Sequence, residues 1–256
     1  MSNFNKELLD EINFLRTNPR RYSKKLSKYL DCFKDKILNL PGTNIGIQTE
    51  EGAEAYKQAI DSLLQERRRE PLIPSKCLCQ VAETLVSEAQ KDADSVGNVD
   101  IEKMIKKMGT YKGCLGRIFE FGGETPEQVV INSVVCDGDP SRGQRQSLLN
   151  AEIKKIGIAN GKHEAYGHVT TLVTITEFKN NEGTSDDGFL DGDYVPKELN
   201  FENDDKEDEK EEGVASIDRT EKIVMENGKK KKIIKIIKNM EDGSKQIETI
   251  KQDFEE

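Results

Sequence analysis

Between Gly113 and Phe178 the chain runs through an order of signals that restricts the fold sharply. A short aromatic run between glycines, Ile118-Phe119-Glu120-Phe121, reads as a strand. Thr125-Pro126-Glu127-Gln128 then opens a helix, with threonine and glutamine at capping-box spacing and proline at the first helical position. Val129, Val130, Val134 and Val135 give that helix a buried face. The loop from Cys136 to Arg145 follows, dense in glycine, proline and charge. Ile156-Gly157-Ile158-Ala159 and Val169 to Ile175 are β-branched runs, read as an antiparallel pair joined through Asn160-Gly161.

Upstream, helical periodicity dominates. Leu8, Leu9, Ile12 and Leu15 define a first helix ending near Thr17. Asn18-Pro19 restarts the chain as N-cap and first helical residue, with Tyr22, Leu26, Tyr29, Leu30 and Phe33 as the apolar stripe. Residues 36–48 carry turn chemistry rather than an element, and Thr49 is placed to cap a third helix. Ser75 caps a fourth, and Ile101 to Met108 form a short helix stopped by Gly109. Helices first and strands flanking a late helix predict an α+β body.

Charge divides the chain. Residues 1–180 hold 26 Lys and Arg against 25 Asp and Glu, whereas residues 181–256 hold 13 against 23. The acidity therefore belongs to the tail. Within it, residues 182–212 hold 14 acidic residues and three lysines, a composition too polar to offset its own ordering entropy. An acidic, disordered linker over 181–213 is the expectation, separating a body over 1–180 from a tail over 214–256. In the tail, Asn227-Gly228 and Asp242-Gly243 punctuate three β-rich runs and predict a three-stranded meander. Ile233, Ile234, Ile237 and Met240 also fit one face of a basic amphipathic helix, the rival reading.

Several functions are excluded at this level. Five cysteines without regular spacing argue against a disulfide framework or a zinc site. The first residues lack an apolar signal region and no run reaches membrane-spanning length, so a cytoplasmic protein without a transmembrane segment is expected. Lysines on the second helix interleave with acids, which disfavours nucleic acid as a partner. No phosphate loop, nucleophile with an adjacent base, or cofactor motif is present, so neither a catalytic residue nor a cofactor is assigned.

The order of these motifs resembles a CAP/SCP domain, the cysteine-rich secretory, antigen 5 and pathogenesis-related family. Leu72-Ile73 with the Ser75 helix, Gly116 to Gly122, the Thr125 helix, Asp137-Gly138, Arg142-Gly143-Gln144-Arg145 and Ile156-Gly157-Ile158 carry the likeness. The Asn18-Pro19 helix is similar to that of single-domain protist members, and coverage runs over about residues 4–180. The resemblance implies an α-β-α sandwich around a small antiparallel sheet. It also implies a cleft of two histidines and two acids that can hold a divalent cation. Here Arg117 stands at the family's glutamate position and Gln144 at its histidine position, while His163 and His168 match no motif position. No metal is therefore expected.

The cleft candidates are Arg117, Glu120, Asp137, Arg142, Gln144 and Arg145. Either Arg117, Arg142 and Arg145 bind a carboxylate or phosphate from a partner, or Arg142 and Arg145 pair with Asp137, Asp139 or Glu120 and stiffen the loop. The function expected is a non-catalytic interaction or structural module of a cytoskeletal or ciliary assembly, with protein partners held by the linker and tail. The alternative is a carrier of lipid or sterol, which the resemblance also implies.

Overall fold

A computed structural model describes residues 2–40, 46–91, 99–181, 214–226, 229–240 and 244–253. The chain divides into two units, Met1–Lys197 and Glu198–Glu256. From residue 182 onward the expected linker lies outside the described residues.

In the first unit α1 (Asn3–Thr17) packs on α2 (Pro19–Leu30), and α2 packs beside α3 (Ala53–Gln65). A miniature sheet of β1 (Phe33–Lys34), β2 (Ile37–Leu38) and β3 (Ile47–Gln48) joins α2 to α3, where the sequence reads as turns alone. Two-residue strands leave no periodicity to detect. After β4 (Ile73–Pro74) come α4 (Lys76–Lys91), α5 (Ile101–Met108) and β5 (Gly109–Phe121). Then follow α6 (Pro126–Val135), α7 (Gly143–Leu149), β6 (Lys155–His163) and β7 (Gly167–Asn180).

The main sheet has the order β4-β6-β7-β5. Its three long strands are antiparallel, and the short β4 adds a parallel edge to β6, an element beyond the purely antiparallel sheet that was expected. Alternation along the strands sends Ile118, Ile156, Ile158 and Leu172 into a core shared with α1, α2, α3, α6 and α7. Ala159, Val169, Val173 and Ile175 face a second core under α4 and α5. Helices thus cover both faces of the sheet, the layering of an α-β-α sandwich.

Gly157 shows how closely these layers approach. A Cβ there would run into the backbone carbonyl group of Leu78 on α4, so only glycine lets the helix lie on β6 at this point. Gly161 is similar: a Cβ would meet Val86 Cγ1 at 2.6 Å. Asn160-Gly161 is therefore not the turn it resembles in sequence. The strands pair straight through it, Asn160 with Thr170 and Gly161 with Val169, and the chain reverses at 164–166.

The second unit is the predicted meander. β8 (Val214–Glu226), β9 (Lys229–Met240) and β10 (Lys245–Asp253) form an antiparallel sheet with β9 in the centre. Residues 229–240 are a strand, which removes the amphipathic-helix rival. Among the described residues no helix is long and apolar enough to cross a membrane.

Candidate functional site

The loop after α6 is built on two left-handed residues. Cys136 (φ 51°) ends α6 and Arg142 (φ 51°) precedes α7, with Gly138 (φ 76°) between them. Each non-glycine residue in this region costs about 1 kcal/mol, so the loop must be held by other contacts. It is. Arg142 Nη1 donates to the Cys136 carbonyl at 2.6 Å, tying one strained residue to the other.

The loop also fastens α3. Asp137 Oδ2 accepts from the Glu50 amide at 2.7 Å and Oδ1 from the Glu51 amide at 2.9 Å, next to the start of that helix. Thr49, expected as the cap, instead donates its hydroxyl to Lys36 O at 2.6 Å. Glu51 returns the contact, accepting from the Gly138 amide at 2.8 Å and from Arg142 as a fork at 2.6 and 2.5 Å. Gln58 Oε1 takes a further Arg142 donor at 2.8 Å. Hydrogen bonding to Arg142, then to the Gly138 amide, holds the Glu51 carboxyl down at about 2. The partner of Arg142 is thus Glu51, not Asp137, Asp139 or Glu120 as the sequence suggests, because the loop faces α3 rather than itself. Asp139 serves the turn, accepting from the Ser141 amide and hydroxyl.

Glu120 lies elsewhere. It is 5% exposed on β5, where Oε1 accepts from Asn132 Nδ2 at 2.8 Å and from the Gly123 amide at 3.1 Å. Burial pushes its carboxyl above the ordinary glutamate range, against the pull of those donors and of His168 nearby. Gln144 Nε2 donates to Phe119 O at 3.1 Å on the outer strand, and its Oε1 is buried without a partner. Alternation puts Arg117 on the opposite face of the sheet from Glu120, with Phe119, and its Nη1 reaches Val99 O at 3.2 Å.

Arg145 is placed differently again. It is 6% exposed, and with Gln58, Ser62, Glu66, Arg142 and Gln146 it lines a depression of about 470 Å³ beside α3 and α7. Its Nη1 is sealed from solvent and donates to nothing. Burial lowers its pKa from the usual arginine value. The six sequence candidates therefore do not form one cleft. Asp137 and Arg142 build the α3 anchor, Glu120 and Gln144 sit on and beside the outer strand, Arg117 is across the sheet, and Arg145 faces the depression.

Residues that sequence reasoning passed over carry much of this region. Glu51, Gln58, Asn132 and Ser62 come from neighbouring helices and have no local signature. Asn13 and Arg16 had one, since both lie one turn beyond buried residues of the α1 stripe. Among the described residues no group of three or more His, Cys, Asp or Glu side chains converges as a metal site would require. None of the five cysteines is in a disulfide. No family model and no curated protein matches the sequence.

Proposed function

We propose that the body is a non-catalytic binding module, similar in layout to a CAP/SCP domain whose ancestral cleft has been converted to scaffold. The observation that carries this reading is how the charges of the central loop are spent. Asp137 holds the approach to α3, Arg142 is forked onto Glu51, and Asp139 closes its own turn. At the sheet, Glu120 is held by amide donors and Gln144 is bonded to the Phe119 carbonyl. Cys136 Sγ lies 3.0 Å from the Ser133 carbonyl, and burial raises its thiol above the usual range, the opposite of an activated nucleophile.

Protein partners are proposed to engage the acidic segment and the β8–β10 meander, in a cytoplasmic assembly such as the cytoskeleton or a cilium. The setting rests on the resemblance alone. A lipid-carrier reading gains no support from the depression, where Leu149 is the one apolar residue among those lining it.

Affinity capture with the full chain, beside a chain ending at residue 181, tests the proposal. A stoichiometric protein partner recovered by the full chain and lost with the tail is the expected result. Turnover of a substrate by the purified chain, or co-purification of lipid with no protein partner, would overturn it.

A further inference from the structure

We propose that the α3–α7 depression is a binding site for a singly charged carboxylate, with Arg145 as its receptor. This rests on the reading of the body as a binding module and names the chemistry of one ligand.

Charge and hydrogen bonding inside the depression are left unbalanced at one residue. Arg142 is neutralised by Glu51, and Glu66 by Arg69 at 2.5 Å. Arg145 is left as a charge without an ion-pair partner among the described residues, although it is more than nine-tenths buried. A guanidinium normally enters such surroundings only when its five donors are met. Here Nη1 is sealed and meets nothing, while Nε and Nη2 are not sealed and make no hydrogen bond among the described residues, so they are the pair of donors a ligand can reach. Burying a cation in this way is unfavourable for the fold by itself, and it is what a preorganised receptor requires.

The surroundings select the ligand. The depression carries a net charge of about +1, which one carboxylate balances and a phosphate dianion over-balances next to Glu66. A forked contact from guanidinium to carboxylate is the geometry arginine favours. Uncharged groups stand ready beside it. Gln58 spends its Oε1 on Arg142, which leaves its amide nitrogen to donate, and the Ser62 hydroxyl has no partner among the described residues. A volume of about 470 Å³ exceeds what a bare carboxylate fills, so the ligand carries a body of several heavy atoms. That body is either a small acid or the C-terminal residues of a peptide.

The test uses the full chain with N-acetylglycine, its neutral methylamide, inorganic phosphate, and an octapeptide with a free or an amidated C-terminus. Thermal shift and calorimetry read binding at low and moderate salt. The expected result is stabilisation by free carboxylates, none by the neutral counterparts, and weaker binding of phosphate. A response to N-acetylglycine identifies a small acid as sufficient, and a response to the free-ended peptide alone identifies a terminal carboxylate. Arg145→Met should lose the response by at least about tenfold while melting no lower than the wild type, because a residue kept for binding does not stabilise the unbound fold. Ser62→Phe, which fills the mouth from the partly exposed face of α3, should lose the response with Arg145 in place. The proposal is overturned if phosphate binds best, if neutral and charged probes act alike, or if Arg145→Met melts several degrees lower and still responds. A partner that Arg145→Met still captures would leave the module reading standing while the ligand assignment fails.

Discussion

Two buried arginines on the helical side of the molecule have opposite surroundings. Arg16, fully buried on α1, is enclosed by backbone carbonyls. Nε donates to Glu70 O at 3.0 Å, Nη1 to Leu148 O and Asn150 O at 2.5 and 3.1 Å, and Nη2 to Ile153 O at 3.4 Å. Arg145, buried almost as deeply on α7, has no such cage. The first is a fastener that gathers the end of α7 and the segment before β4 onto α1. The guanidinium of the second makes no hydrogen bond or ion pair that holds the chain together among the described residues. Burial of charge is therefore not one phenomenon here, since the partners decide whether it serves the fold or a ligand.

The contrast is most easily broken at Arg16. Arg16→Met should lower stability by about 3–5 kcal/mol, because it strands several buried carbonyls at once. Arg16→Lys, which keeps the charge but not the fork, should lose about 2 kcal/mol. Urea denaturation followed by circular dichroism measures both. If Arg16→Met proves no more harmful than Arg145→Met, the distinction between the two sites is wrong.

A smaller effect is expected at the loop that anchors α3. Asp137→Ala removes the acceptor of two amides at the approach to α3 and should cost about 1 kcal/mol. Hydrogen exchange should rise at the first turn of α3 and leave the Arg16 cage protected. Uniform loss of protection would mean that the two regions are not separable.

The smallest effect is in acid. The Glu51 carboxyl sits at about 2 in the fold, below its ordinary value of 4.5. A depressed acid binds fewer protons folded than unfolded, so its contribution is complete above the ordinary value and fades as pH falls toward 2. Glu120 runs the other way. Its carboxyl is raised, so the fold gains relative stability from it as pH drops through the raised value. Glu51→Gln should flatten the first part of the acid profile between pH 5 and 3, read by denaturation at fixed pH. Loss of stability at equal slope in wild type and variant would remove Glu51 from the account.

How much was legible in the sequence follows from the range of each interaction. Thr125 and Gln128 form the capping box their spacing announces, with Gln128 N reaching Thr125 Oγ1 at 3.2 Å, since everything it needs lies within one turn. Ser75 behaves likewise, accepting from the Leu78 amide at 3.3 Å. Asn18 begins α2 as expected, yet its side chain caps nothing there and donates to Thr17 Oγ1. β5 runs from Gly109 where only 118–121 looked extended, because Gly113 sits at φ 78° in an irregularity between Lys112 and Leu115 and interrupts the alternation. Asn160-Gly161 misled for the opposite reason, glycine being needed there for helix contact rather than for a turn. The candidate site was legible in its residue types but not in its grouping. The partners of Asp137 are 86 and 87 positions away, and no local pattern encodes them.

The carbonyl cage of Arg16 has a consequence in time. Its most distant member, Ile153, lies 137 residues further along the chain. At a synthesis rate of about 5–20 residues per second, that stretch takes about 7–27 s to emerge. Through that interval α1 carries an arginine in water and an apolar stripe without its full covering. It leaves the ribosome long before Ile153 does, and its buried arginine is satisfied only when that residue arrives. Chaperone dependence during synthesis should therefore concentrate on residues 3–17, and slowing translation between α7 and β6 should deepen it.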